Sequence, residues 1–206
     1  MKTFNSSFSV AELVDELAAS TPKDGLEINE LFERIGKEGL LVAVMVLTVP
    51  FLLPVSIPGT STPFGTLIIL ICLSLITGGS LRLPSRLGRL RVKQKHMRLI
   101  ADKASAVLRR LEGWSRPRLT AMTATRPLRI LHALAIVASA AGMMLPLPLP
   151  LSNAIPAYAI VFLALGLLRR DGLLLLGGYG LLTATVVYLA VVYAIGFVSV
   201  KALWGG

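Results

Sequence analysis

Three long blocks without a charged residue constrain this chain more than any other feature. No Asp, Glu, Lys or Arg occurs at 39–81, at 130–168 or at 172–200. A charged side chain near the centre of a bilayer is costly, so such blocks are typical of membrane-spanning segments. Hydrophobic residues make up 54% of the 206 residues, more apolar surface than a soluble domain of this size can bury. The pattern therefore predicts an all-α polytopic membrane protein.

Two of these regions, 40–79 and 131–172, repeat one broken pattern. Each has an apolar arm, a Pro-rich break with small hydroxyl or amide side chains, and a second apolar arm. An internal duplication is expected from this likeness. The paired positions are Pro54 with Pro146, Pro58 with Pro150, Thr60 with Ser152, Ser61 with Asn153 and, after a one-residue insertion, Pro63 with Pro156.

The arms of the first hairpin are short for a membrane crossing. About 15 residues at 1.5 Å each give roughly 22 Å, whereas the hydrocarbon core is about 30 Å thick. Two interpretations stay open: tilted helices that span a thinned bilayer, or a re-entrant pair that meets part-way across. The Pro-Gly-Thr-Ser-Thr-Pro break favours the re-entrant form, because irregular backbone at membrane depth must be buried in protein or face water.

The Pro-rich breaks are the best candidate for a binding site. Pro63 is expected in the first turn of its outgoing arm behind Thr62 as N-cap, and Pro156 in the equivalent place. Two helix N-termini would then present positive dipole ends to a polar or anionic solute. The alternative is that these side chains only cap helices. The predicted substrate-binding residues are Pro54, Pro58, Gly59, Thr60, Ser61, Thr62, Pro63, Pro146, Pro150, Ser152, Asn153 and Pro156.

The N-terminal 38 residues are polar and carry eight acidic residues against four basic ones. Ser9 and Glu12 form a capping box before apolar residues at helical spacing, which predicts a helix that breaks at 21–25. A second helix is expected from Ile28 to Ile35. No cleavable signal peptide is expected, since so many polar residues precede the first apolar block.

The segment 82–129 is strongly basic, with fourteen Lys or Arg against two acidic residues. By the positive-inside rule this segment is predicted to be cytosolic. Its apolar residues recur at helical spacing and predict an amphipathic helix, either on an anionic membrane surface or packed on the protein's own cytosolic face. Nucleic-acid binding is disfavoured, because topology already accounts for the charge. The predicted membrane-surface residues are Lys93, Lys95, Arg98, Arg109, Arg110 and Trp114.

The chain divides into five predicted regions. The last is a C-terminal transmembrane segment, predicted to cross once and to kink near Gly177–Gly180; a third short hairpin is the alternative. Arg169 and Arg170 precede it in a charged turn that is expected to be a solvated loop; the alternative is that Asp171 pairs with Arg170 or with the basic segment. The regions are a cytosolic helical region at 1–38, a first broken hairpin at 39–81, a basic cytosolic or interfacial segment at 82–129, a second broken hairpin at 130–171 and the final segment at 172–206.

Side chains that perform chemistry are scarce. No carboxylate lies inside an apolar block, so the relay of many proton-coupled transporters is not expected. His132 sits near the cytosolic end of its arm, where snorkelling or helix packing is favoured over proton transfer. Cys72 is expected to face lipid or core. Ligand spacing for a metal and catalytic motifs are lacking. We expect no enzyme activity and no cofactor.

Several motifs together resemble the ExoD family of bacterial exopolysaccharide synthesis proteins. They are Leu53–Thr62, Trp114–Arg118, Leu145–Pro156 and Leu165–Gly172. The resemblance implies a bacterial inner-membrane protein connected to exopolysaccharide production and alkaline tolerance. The sequence pattern itself predicts that the protein is multi-pass with a cytosolic N-terminus. It implies no particular reaction.

The expected function is transport of a small polar or anionic solute through the breaks, or ion or lipid homeostasis. The rival is a membrane scaffold or regulator of exopolysaccharide synthesis that acts through the basic segment. Expected partners are membrane lipids, the exopolysaccharide synthesis machinery and a second copy of the chain, but not nucleic acid. Glycines that would permit close helix approach in such a homodimer are Gly39, Gly65, Gly142 and Gly166.

Overall fold

In the residues that the computed structural model describes, regular secondary structure is helical apart from one antiparallel pair of two-residue β-strands. Those residues are 10–22, 25–27, 39–52, 61–77, 91–92, 94–95, 98, 101–102, 105–106, 109, 113, 117–145 and 151–204. The elements are α1 (Val10–Ser20), β1 (Leu26–Glu27), α2 (Gly39–Phe51, its last turn a 3-10 helix at Val49–Phe51), α3 (Ser61–Thr77), β2 (Arg91–Val92), a 3-10 helix (Thr120–Thr123), α4 (Arg126–Met143), α5 (Ala154–Arg169) and α6 (Gly172–Trp204).

The arms of both predicted hairpins are helices that share one apolar core. α3 packs against α4, α4 against α5, and α5 against α6. Side chains from α2 to α5 are fully buried between them, among them Met45, Ile68, Ile136 and Ile160, and the core also includes Cys72. Such helices are apolar on most of their surface, as expected of segments that pack in a membrane or in a deep core.

Three of the four glycines predicted for a dimer interface pack against other helices of the same chain. A Cβ at Gly65 would lie 3.3 Å from the Ala140 carbonyl oxygen, one at Gly142 would lie 3.3 Å from Thr185, and one at Gly166 would lie 3.0 Å from the Leu175 backbone nitrogen. The glycines therefore let helices of one chain approach closely. The homodimer stays a prediction, and these three glycines do not support it.

The C-terminal segment is one continuous helix of 33 residues, so the alternative of a third hairpin is wrong. Gly177 and Gly178 face Phe162 and Leu163 of α5, which explains the glycines by close packing. Within the described residues, α6 is the one helix long and apolar enough to cross a membrane, over the 25 residues Gly172–Gly196. At 1.5 Å each they extend about 37 Å, more than the hydrocarbon core of about 30 Å.

The N-terminal region docks on the basic segment. Helix α1 forms where the capping box predicts it. Arg109 pairs with Asp15 of α1 at 3.2 Å, and β1 pairs antiparallel with β2, Leu26 opposite Val92. The sequence pattern did not predict this bridge. The second predicted helix, Ile28 to Ile35, lies outside the described residues.

Candidate functional site

The helix ends that flank the two predicted breaks lie together at one end of the helical bundle. Gly65, in the second turn of α3, faces Ala140 and Met144 at the end of α4. Phe51 and Phe64, on either side of the first break, meet edge to face at 5.5 Å between ring centroids. The last turn of α2 also contacts α5. We call this the tip end; its described residues are Ser61, Thr62, Pro63, Ser152, Asn153 and Pro156.

These six tip residues differ in exposure. Ser61 and Ser152 are buried, 5% and 3% exposed, whereas Thr62 and Pro63 are exposed. Pro63 and Pro156 lie in the first turns of α3 and α5, as predicted. The other predicted tip residues lie outside the described part of the chain; they are Pro54, Pro58, Gly59, Thr60, Pro146 and Pro150.

Thr62 is not the N-cap that the pattern predicted. Helix α3 already begins at Ser61, so Thr62 lies inside its first turn. There the Thr62 carbonyl accepts a hydrogen bond from the Thr66 hydroxyl at 2.8 Å. The start of the helix extends further toward the break than proline placement alone indicated.

Asn153 combines two features that cost stability. It occupies the N-cap of α5, but its side chain makes no capping hydrogen bond. Its Oδ1 is buried and has no hydrogen-bond partner in the structure, the one such atom found among the described residues. A buried polar group without a partner costs about 1–3 kcal/mol, and such atoms often mark functional positions. Leu151, two residues earlier, has a left-handed φ of 68°.

The opposite end holds a cavity of about 590 Å³ that the sequence patterns did not indicate. It lies between the start of α2, the end of α3, the start of α4 and the end of α5, and its rim includes Arg126, Arg129 and Arg170. We call it the arginine end. The arginines that flank the second hairpin are the sequence feature that could have indicated this cavity. Their position next to apolar blocks is explained equally well by membrane topology.

His132 ties three elements together at this end. Its side chain is buried, with Nε2 2.9 Å from the Met122 carbonyl oxygen and Nδ1 2.9 Å from the Tyr179 hydroxyl. A carbonyl only accepts, so Nε2 carries a proton and donates to Met122; in the neutral ring, Nδ1 then accepts from Tyr179. This supports the predicted packing role of His132, since it joins α4 to the 3-10 helix and to α6.

Asp171 is buried, so the expectation of a solvated charged turn is wrong at this position. Its Oδ1 accepts hydrogen bonds from the backbone N–H groups of Leu173 at 3.0 Å and Leu174 at 3.4 Å. A carboxylate at a helix N-terminus satisfies unpaired donors and interacts favourably with the helix dipole. Arg170, which is exposed, adopts a left-handed φ of 54° that ends α5 just before this cap.

The basic segment is partly packed against the protein. Ala101 and Ser105 are buried, whereas Lys95 and Arg98 are exposed. Arg109, also exposed, bonds both Asp15 and the Ser105 hydroxyl. These contacts support the prediction that one side of the basic segment packs on the protein. Lys93, Arg110 and Trp114 lie outside the described residues, and contact with lipid stays a prediction.

The described residues form a bundle of apolar helices with polar groups at its two ends. The profile of the family described as "Exopolysaccharide synthesis, ExoD" matches residues 10–191. The chain is 37% identical over 196 residues to Protein ExoD of Rhizobium meliloti, covering 95% of this chain and 82% of that protein. It is 32% identical over 162 residues to the uncharacterized protein slr1875 of Synechocystis sp., covering 75% and 76%.

The chain therefore belongs to the ExoD family, which is linked to exopolysaccharide synthesis. No solved structure matches it.

Proposed function

We propose that this chain is a multi-pass inner-membrane protein that supports exopolysaccharide production by passing a small polar or anionic solute through its tip end. Family membership supports the link to exopolysaccharide. The long apolar helix α6 supports the membrane location, because several of its large apolar side chains are exposed: Val186, Val187, Val191, Tyr193 and Ile195.

The proposed topology is a pair of re-entrant hairpins that enter from the cytosol. α3 has 17 residues and α5 has 16, so they extend about 25 Å, which is short of a full crossing. In this topology the tip end lies within the membrane and the arginine end faces the cytosol, as the positive-inside rule requires. The two hairpins are then parallel copies of one unit, and the N-terminal region is cytosolic.

The observation that carries the proposal is the buried, unpartnered Oδ1 of Asn153 beside the buried Ser152. An acceptor without a partner in a low-dielectric site binds a hydrogen-bond donor strongly, because no competing bond must first be broken. A hydroxyl group of a solute meets that need.

The test is an Asn153→Ala variant in a strain that lacks the native gene. We expect exopolysaccharide yield to fall to the level of the empty strain. The variant removes an unsatisfied atom and no capping bond. Its free energy of unfolding should therefore stay equal or rise by at most about 1 kcal/mol, and its melting temperature in detergent should not fall.

Thr183→Val is the matched control, since Thr183 is exposed on α6 and bonds only its own helix, through the Tyr179 carbonyl. Its yield should match that of the unchanged protein. A fully active Asn153→Ala variant would contradict the tip site. If substitutions at Lys95 and Arg98 then abolished production instead, the scaffold or regulator function through the basic segment would take its place.

A further inference from the structure

The cavity at the arginine end has the size and the lining of a ligand site. Its volume of about 590 Å³ falls within the range of roughly 300–1,000 Å³ that is usual for such sites. Four helices contribute to it, so it is a feature of the packed bundle. Seven of its twelve lining residues are apolar, two are threonines and three are arginines.

Among the residues that the structure describes, no acidic side chain neutralises the arginine charges at this cavity. The guanidinium groups of Arg126, Arg129 and Arg170 form no ion pair or hydrogen bond with the residues that the structure describes. Of the lining residues in the described part of the chain, none is acidic. The neighbouring Asp171 directs its carboxylate to the start of α6. Three like charges around one cavity repel each other, and an anion relieves that repulsion.

The geometry selects an anion that also carries an apolar part. Guanidinium groups bind phosphate through paired hydrogen bonds. The hydroxyls of Thr77 and Thr123 already donate to backbone carbonyls, so charge recognition rests on the arginines. The rest of the wall, which includes Leu75 and Leu168, offers only apolar contacts. A free phosphate ion would leave that wall exposed to water.

We propose that the arginine end binds an anionic membrane phospholipid. The phosphate lies against Arg126, Arg129 and Arg170, and the first acyl carbons lie against the apolar wall. Basic pockets between membrane helices on the cytoplasmic side recognise lipid head groups by this chemistry. The site is at the opposite end of the bundle from Asn153, so it does not depend on solute passage through the tip.

The test compares two lipids with identical acyl chains on the full-length protein in neutral detergent. Phosphatidylglycerol should bind about tenfold more tightly than phosphatidylcholine, whose head group has no net charge. A triple variant, Arg126→Gln, Arg129→Gln and Arg170→Gln, should lose that preference. All three side chains are exposed, so the fold should survive, which the melting temperature verifies.

The matched control is the triple variant Lys95→Gln, Arg98→Gln and Lys201→Gln. It removes the same charge at exposed positions that do not line the cavity, and it should keep the preference. An equal loss in this control would overturn the proposal, because it would show attraction by net charge alone.

A second variant keeps every charge but narrows the cavity. Ala133 is buried and lines the cavity, so Ala133→Leu should weaken phosphatidylglycerol binding if the lipid enters there. Unchanged binding in this variant would contradict the proposal even if the arginine variant failed to fold. Inorganic phosphate that binds as tightly as the lipid and displaces it would identify a free anion as the occupant and overturn the lipid.

Discussion

The two ends of the bundle satisfy their polar groups to different degrees. At the arginine end, both ring nitrogens of His132 have partners, and the carboxylate of Asp171 caps α6. At the tip end, Oδ1 of Asn153 is buried without one. Proteins retain unsatisfied polar atoms mainly where function requires them. The arginine end therefore stabilises the fold around its cavity, whereas the tip end retains a buried acceptor that the solute of the proposed function would satisfy.

The largest effect should come from separating α5 and α6 beside the arginine end. Gly166→Val places a branched side chain where a Cβ already lies 2.9 Å from Leu175 Cγ and 3.0 Å from its backbone nitrogen. Overpacking of this kind costs about 3 kcal/mol or more when backbone must move. Thermal unfolding in detergent measures the loss. Gly180→Val is the control, because a Cβ at Gly180 would have no neighbouring atom within 4 Å, and a similar loss there would contradict the packing explanation.

A smaller effect is expected from the histidine at the arginine end. His132→Leu removes both hydrogen bonds and leaves the Met122 carbonyl and the Tyr179 hydroxyl without this partner, which should cost about 2–3 kcal/mol. Tyr179→Phe removes one bond and should cost about 1 kcal/mol. If the two changes are additive in the double variant, His132 and Tyr179 do not interact, and the hydrogen bond between them does not stabilise the fold.

An effect smaller than that of His132→Leu should come from the cap of α6. Asp171→Ala removes the acceptor for the N–H groups of Leu173 and Leu174 and should cost about 1–2 kcal/mol. Asp171→Asn keeps an acceptor and should cost only a few tenths of a kcal/mol. Denaturant unfolding of the pair distinguishes these values. Equal losses would show that the charge of Asp171, and not its hydrogen bonding, stabilises this end.

The helical arms could be predicted from sequence because their signals are local. Charge-free blocks located α2 to α6, and the Ser9–Glu12 capping box located α1. The role of the glycines could not be predicted, since Gly65 and Gly166 suit contacts within a chain as well as between chains. The pairing of Leu26 with Val92 joins segments far apart in sequence, and a two-residue bridge leaves no periodic pattern.

The candidate sites show the same division. The tip residues could be named in advance because proline, serine and asparagine break an apolar run visibly. That Asn153 lacks a partner depends on everything packed around it, which no local pattern records. The cavity depends on four helix ends that meet only in the folded protein. Its arginines are adjacent to apolar blocks, where positive charge is expected for topology alone.

The most direct test of the account is the accessibility of single cysteines from each side of the membrane, in a Cys72→Ala background. Thr62 and Leu151 at the tip end and Thr125 near the arginine end are all exposed on the protein, so labelling there reports the surroundings and not burial. A membrane-impermeant thiol reagent is added to intact cells, where it reaches the outer side, and to inside-out membrane vesicles, where it reaches the cytosolic side. The account predicts fast labelling of Thr125→Cys from the cytosolic side only, and slow labelling of Thr62→Cys and Leu151→Cys from outside. Rapid labelling of both tip positions from outside would show ordinary external turns and contradict a tip site within the membrane.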